Sequence, residues 1–314
     1  MSNRCDWSVV SHTNNNKGDK TNMNNKSEKE FLDNYDIGKY PRPSLASDIV
    51  LLSLLRDKPN ADIKNVNVHA LQLLLIKRAN HPCINKWALP GGFCKPTESV
   101  YQTAKRELFE EANVSNAYLK LAGVHSEIGR DARGWIVSNS WLGLIDRYEC
   151  ELRADTDAWE AVWFTIKSLQ TTITNDKENE TEYTHELILV NEDNGETLKS
   201  VVKETITFYS GSHENVYKNV ESDLAFDHNI IITQALVNFK KDIKEDIRPL
   251  FNLVPQLFTL GELQIAYEYI LGEKTQNFRR RINDYVIETD EFAEVKGYRP
   301  AKLYMKNNDM FKYK

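Results

Sequence analysis

Two runs early in the chain, DIVLLSLL at 48–55 and VHALQLLLI at 68–76, are almost unbroken apolar sequence. Runs of this length, rich in branched side chains and bounded by polar turns, predict strands buried on both faces. KPNADIKNVN between them predicts a loop, and WALPGGF at 87–93 a short strand broken at Pro90-Gly91-Gly92. A helix is expected over about 98–112, then strands near 118–128 and 134–145, with AVWFTI at 161–166 closing the series. From 168 to 183 the chain turns polar, which predicts a loop. Two β-patterned arms near 184–209 flank Asp193-Asn194-Gly195, a strong hairpin signal. Between 223 and 241, Leu224, Ile231, Ala235, Leu236 and Phe239 recur at helical spacing.

Pro249 and Pro255 bracket an expected linker, beyond which the pattern changes. FTLGELQIAYEYILG at 258–272 opens with Thr259 and Glu262, the spacing of a capping box, and stops at Gly272. TQNFRRRINDYVI at 275–287 predicts a second short helix carrying Arg279, Arg280 and Arg281, and KGYRPAKLYMK at 296–306 a strand pair around Gly297 and Pro300. Two helices joined by a short connection, followed by a basic ribbon, outline a winged helix-turn-helix.

The densest chemistry lies in GFCKPTESVYQTAKRELFEEANV, from Gly92 to Val114. A glycine turn leads to Glu98, which opens a helical run carrying Arg106, Glu107, Glu110 and Glu111. Residues three and four apart are neighbours on a helix, so the last three carboxylates crowd one face, at a cost of a few tenths of a kcal/mol per like-charged pair. A hard divalent cation such as Mg²⁺ removes that repulsion, since it prefers carboxylate oxygens, water and substrate phosphates. Arg106 lies four residues before Glu110 and can fix its rotamer. The cluster points to a metal-phosphate site.

Composition sharpens the picture in three places. The 314 residues favour two domains, and 41% hydrophobic with 27% charged residues is a globular balance. No apolar run reaches membrane-spanning length, and residues 1–35 predict a disordered polar tail whose first thirty residues lack the apolar stretch of a secretory signal. Cys5, Cys83, Cys94 and Cys150 form no CxxC pair, so free thiols in a reducing cytoplasm are expected rather than zinc or disulfides. The net charge of −6 excludes a chain coated all over with nucleic acid. Its distribution is uneven, however: residues 274–314 hold ten Lys or Arg against six Asp or Glu, a net of +4, which leaves −10 for the rest. A basic module on an acidic body suits phosphate-backbone binding.

Gly92, Glu98, Arg106, Glu107, Leu108, Glu110, Glu111 and Val114 resemble the signature of the Nudix hydrolase family, with Asn113 where the family has glycine. Asn is the next most tolerant residue for a left-handed helix end, so the departure is mild. AFDH at 225–228, the phrase from Leu253 to Gly272, NFRRRI and KGYRPAKLY extend the likeness over about residues 36–306 to the Nudix-related transcriptional regulators of NAD metabolism. That resemblance implies a mixed-sheet α/β/α Nudix sandwich over 36–245, with a winged helix-turn-helix at 246–314. It further implies a homodimer, double-stranded DNA and an ADP-ribose-like nucleotide as partners, and Mg²⁺ or Mn²⁺ held by Glu107, Glu110, Glu111 and the Gly92 carbonyl. Two activities follow: hydrolysis of a pyrophosphate, and ligand sensing without catalysis.

Asp131-Ala132-Arg133-Gly134 is similar to the strand entry of Nudix proteins acting on ADP-ribose, which makes Arg133 a substrate-binding candidate; a plain turn into a buried strand explains it equally well. Arg78, with Lys77, could contact phosphate from a strand end, or form a rim salt bridge. Trp87 could stack on a base or be core. The water proton would go to Glu110 or to a loop acid, with Glu127, Asp131 and Glu160 left as alternatives, while Arg106 organises the catalytic carboxylates. Arg279, Arg280, Arg281, Lys296, Arg299 and Lys302 are the expected DNA contacts.

Overall fold

The computed structural model describes residues 27–56, 68–150, 152, 158–293 and 300–312. Cys5, the loop expected at 58–67, and Lys296 and Arg299 lie outside them. Of the described residues, those up to Arg42 form one compact unit and those from Pro43 onward another. In the first, helix α1 (Glu28–Asp33) starts with a reciprocal cap between Ser27 and Glu30, so the polar tail expected over 1–35 contains a short helix.

The second unit is built on one large sheet. Its strands are β1 (Ser44–Arg56), β2 (Val68–Arg78), β3 (Trp87–Ala88), β4 (Gly91–Phe93), β5 (Tyr118–His125), β6 (Ile136–Leu144), β7 (Ala158–Lys177), β8 (Glu180–Val190), β9 (Thr197–Tyr209) and β10 (Ser212–Ser222). They run in the order β10-β9-β8-β7-β2-β1-β6-β5, with β3 beside β2 and β4 beside β1. The pairing of β1 with β6 is parallel and that of β1 with β2 antiparallel, which makes the sheet mixed. Side chains alternate across a strand, and in β1 the two sets meet different layers. Ile49 and Leu51 pack with Ala104 and Leu108 of helix α2 (Val100–Ala112). Val50, Leu52 and Leu54 face the side covered by Ile231, Ile232 and Phe239 of helix α3 (His228–Glu245). Both faces are buried, which is why the β1 and β2 sequences are continuous apolar runs.

The stretch 168–183, expected as a loop, instead forms most of the β7–β8 hairpin. A polar chain is stable in sheet here because most of it is exposed, while the buried polar groups of the strands beside it are matched. Thr171 Oγ1 lies 2.9 Å from His185 Nδ1, and His185 Nε2 lies 2.9 Å from Glu204 Oε2. Glu204 also accepts from Tyr217 at 2.6 Å and Asn215 at 2.9 Å, so one network crosses four strands. The hairpin at Asp193-Asn194-Gly195 is present, with Gly195 in the left-handed region at φ 76°.

The expected linker is structure as well. Pro249 sits in a 3₁₀ turn over Arg248–Asn252, and Leu250 and Leu253 are fully buried. They carry the apolar core from the sheet into helix α4 (Leu260–Leu271), helix α5 (Phe278–Ile282) and a small sheet ordered β11-β13-β12. Those strands are β11 (Leu257–Phe258), β12 (Val286–Ala293) and β13 (Ala301–Lys306). The reciprocal cap of Thr259 and Glu262 forms as read, and Gly272 ends α4 at φ 73°. The second helix is much shorter than the 275–287 expected. Val286 and Ile287 already belong to the ribbon, whose strands are 286–293 and 301–306 rather than both within 296–306. Among the described residues no helix is long and apolar enough to cross a membrane.

Candidate active site and DNA-binding face

The acidic cluster stands where β4 turns into α2. Ser99 caps α2 with Gln102, so Glu98 precedes the helix rather than opening it. This frees the Glu98 carboxylate to accept from Lys95 N at 2.8 Å, Thr103 Oγ1 at 3.1 Å and Arg106 Nη2 at 2.7 Å. Arg106 holds Glu98 down to a pKa of about 2. The same guanidinium donates through Nη1 to Glu107 Oε1 and Glu110 Oε2, each at 2.7 Å, and through Nη2 to the Phe93 carbonyl at 3.1 Å. Arg106 is thus the hub on which three carboxylates are set. At the far end Asn113 adopts the left-handed conformation, φ 57° and ψ 34°, and Val114 N bonds back to Leu108 O at 3.1 Å. Asn therefore does the family glycine's work.

Glycine at 92 is a packing requirement. A Cβ there would come within 2.3 Å of Glu107 Oε1, closer than any side chain tolerates. Gly92→Ala should displace that carboxylate and lower the hydrolysis that the resemblance implies at least tenfold while the circular dichroism spectrum stays native; full activity in a steady-state assay would refute this.

Next door, Gly91 N donates to Glu111 Oε2 at 2.7 Å. Burial pushes the Glu111 carboxyl up to a pKa of about 8, against the pull of that bond. Burial also raises Glu107, despite Arg106 beside it, and raises Asp48, which accepts from the Ser138 hydroxyl. Three acids held in a dry site with raised pKa values are what an added cation would compensate. All the donors are carboxylate oxygens, the set that suits Mg²⁺ or Mn²⁺ rather than a soft metal. Among the described residues no three His, Cys, Asp or Glu side chains converge on one point as they stand, because Arg106 holds Glu107 and Glu110.

A cleft of about 90 Å³ opens beside the acids and is lined by Asp48, Arg78, Phe93, Arg130, Arg133 and Phe226 among others. Arg133 clamps Asp131 through Nε at 3.0 Å and Nη2 at 2.7 Å, and its guanidinium lies 4.9 Å from the Phe93 ring and 5.1 Å from the Phe226 ring. Arg78 lies 4.8 Å from the same Phe226 ring and donates to Pro82 O at 2.8 Å. The two proposed substrate arginines therefore meet on one aromatic ring. Phe226 is held at φ 52°, an uncommon conformation for a bulky residue. Behind it Arg130 grips Asp227 in a buried bidentate pair at 2.7 and 2.8 Å, which draws the Asp227 side chain away from capping α3. His228 Nδ1 accepts from Leu89 N at 2.8 Å, and burial lowers its pKa to about 3, so it is a neutral structural group.

Several sequence candidates fall elsewhere. Trp87 is core, 2% exposed, edge-on to Phe164 and bonded to Glu196. Lys77 rests on the Trp87 ring. Asp131 is committed to Arg133, and Glu127 and Glu160 are exposed. Asp48, Arg130 and Phe226 at the cleft, and Asp227 behind it, come from separate parts of the chain that no local pattern links. Asp48 hides inside an apolar strand, and its one polar letter was the available signal.

On the C-terminal face Arg279, Arg280 and Arg281 are exposed. Arg279 reaches Tyr304 Oη at 3.5 Å; Arg281 donates to the Lys244 carbonyl at the end of α3 and lies 5.3 Å from the Tyr267 ring. Lys302 pairs with Glu288 across the ribbon. Arg280 makes no such contact among the described residues.

The family model of the NUDIX domain matches residues 61–187, and that of the NrtR DNA-binding winged helix domain matches residues 250–305. An ADPR responsive transcriptional repressor, NtrR, from Acinetobacter baylyi is 29% identical over 90% of this chain and 89% of its own length. An ADP-ribose pyrophosphatase from Methanocaldococcus jannaschii is 39% identical over 31% of this chain and 57% of its own. The crystal structure of Shewanella oneidensis NrtR complexed with a 27mer DNA superposes with a TM-score of 0.53 at 25% identity, covering 86% of this chain and 96% of that one. With both domains matched in order and the Nudix signature folded around Arg106, the chain carries a Nudix domain followed by an NrtR-type winged helix domain.

Proposed function

We propose that this protein is a Nudix hydrolase that cleaves the pyrophosphate of ADP-ribose or a related nucleoside diphosphate derivative, and that its winged helix binds DNA to regulate NAD or sugar metabolism from the cytoplasm. The observation that carries this reading is the complete carboxylate set around Arg106 beside a cleft lined by three arginines. Glu107, Glu110, Glu111 and the Gly92 carbonyl would hold Mg²⁺ or Mn²⁺, which supplies charge neutralisation on the diphosphate and a more acidic bound water. Arg106 orients the acids. Arg78 and Arg133, spaced on the Phe226 ring, match a diphosphate's paired charges. Glu110, half-exposed at the rim, is the acid best able to accept a proton from bulk-accessible water.

The second reading is a sensor that binds the nucleotide without cleaving it, and one observation favours it: Arg106 already occupies Glu107 and Glu110. Incubating the protein with ADP-ribose and Mg²⁺, beside a gel shift on its own upstream DNA, decides. AMP and ribose phosphate with a shifted band support the proposal. A shifted band with intact ADP-ribose leaves the sensor. A winged helix reading a palindrome needs two copies, so light scattering should give a homodimer; a monomer with and without DNA would contradict it.

A further inference from the structure

The larger concavity is not the arginine-lined cleft. A groove of about 680 Å³ lies between the sheet, α3 and α4, and it shares no lining residue with that cleft. Its volume falls within the roughly 300–1,000 Å³ of small-molecule sites. The floor is apolar, made of Leu71 from β2, Leu236 and Phe239 from α3, and Ile265 and Ile270 from α4. Lys167, Lys240 and Lys274 line it with Glu268 and Glu273. Lys240 is half-buried on the α3 wall, and its Nζ lies 4.0 Å from where a Cβ on Gly272 would stand, at the end of α4.

The neighbouring lysines all have carboxylates. Lys167 pairs with Glu192 at 2.7 Å, Lys274 with Glu268 at 2.7 Å and Lys244 with Glu273 at 3.0 Å. Lys240 has no hydrogen bond or ion pair among the described residues, and the acid nearest in effect, Glu273, is the one Lys244 holds. Burial, aided by Lys244, lowers its pKa from the ordinary lysine value, the mark of an ammonium short of counter-charge. Placing a cation in an apolar groove without a partner is costly, and an anion with an apolar body answers both features.

We propose that this groove is a second ligand site for a small amphipathic anion, with an apolar or aromatic body on the floor and one carboxylate, phosphate or sulfonate on Lys240. Its two helical walls belong to the Nudix body and to the winged helix, so an occupant would bias their packing and, by linkage, DNA affinity.

Anilinonaphthalene sulfonate tests this against its uncharged analogue N-phenylnaphthylamine, by fluorescence titration of the full chain. The wild type should bind the sulfonate at a single site about tenfold more tightly than the neutral probe, the worth of one hydrogen bond to a charged group. Lys240→Gln should erase that preference and leave the neutral probe unaffected. Ser168→Trp, which fills the groove from the sheet side, should remove both probes at an unchanged melting temperature. Lys240→Gln changes only a half-buried head group, so it decides the matter even where Ser168→Trp fails to fold. Equal affinities in the wild type, or a preference that survives Lys240→Gln, would overturn the proposal. So would binding undiminished in a folded Ser168→Trp protein.

Discussion

Glu111→Gln should fold as the wild type does and lose hydrolysis of ADP-ribose in Mg²⁺ by about 10³-fold, the equivalent of roughly 4 kcal/mol of transition-state stabilisation. The glutamine oxygen can still accept from Gly91 N, so the β4–α2 corner keeps its bond while the proposed metal ligand loses its charge. The substitution should also change the pH dependence of stability. In the metal-free protein burial holds Glu111 at about 8, against an ordinary value of 4.5. Between those limits the folded state binds more protons than the unfolded one, so stability falls as pH rises through that window. Urea melts from about pH 5 to pH 8 should show that decline for the wild type in EDTA. They should show less of it with Mg²⁺ added, and less in Glu111→Gln. Undiminished turnover in the variant would remove Glu111 from the metal set.

Most of this site was legible because its residues are consecutive on one turn and one helix. Fixed offsets between Gly92, Glu98, Arg106 and the three glutamates survive folding as local geometry, and even Asn113 took the left-handed form its side chain permits. What remained hidden is assembled across the chain. The cleft draws Asp48 from β1, Arg130 from the loop before β6, and Phe226 from the entry to α3, and no local pattern links them. The misread polar stretch failed for a related reason. Most of 168–183 is exposed and polar, and where the hairpin is buried it is buried by polar groups, His185 with Glu204 and Tyr217, so the apolar alternation that marks a strand is missing. The linker expected between the prolines is structured instead because Leu250 and Leu253 bury there and join two cores into one, a long-range packing that the flanking prolines do not signal.

DNA binding should be steeply salt-dependent. With roughly six to ten phosphate contacts over a dimer, affinity falls about 10³–10⁵-fold between about 50 and 200 mM salt. Arg280 should matter in the simplest way, since its side chain has no partner to exchange among the described residues. Arg280→Ala should lower the salt slope by about one per domain if it meets phosphate, or cost roughly 1–3 kcal/mol and relax specificity if it reads a guanine edge. Arg281→Ala should weaken binding too, with a thermal-stability cost that Arg280→Ala lacks, because Arg281 also ties α5 to the Lys244 carbonyl and covers Tyr267. An unchanged salt slope and unchanged affinity in both variants would move the DNA face away from α5.

Nucleotide recognition and DNA binding are coupled in one molecule under this proposal, and a titration of labelled upstream DNA by fluorescence anisotropy tests the coupling most directly. Glu111→Gln protein, with and without saturating ADP-ribose, keeps the ligand intact throughout. The predicted result is a shift in DNA affinity of about five-fold or more, matched by an equal shift in ADP-ribose affinity when DNA is bound. DNA curves that superimpose with and without the nucleotide, or no binding at low salt, would contradict it.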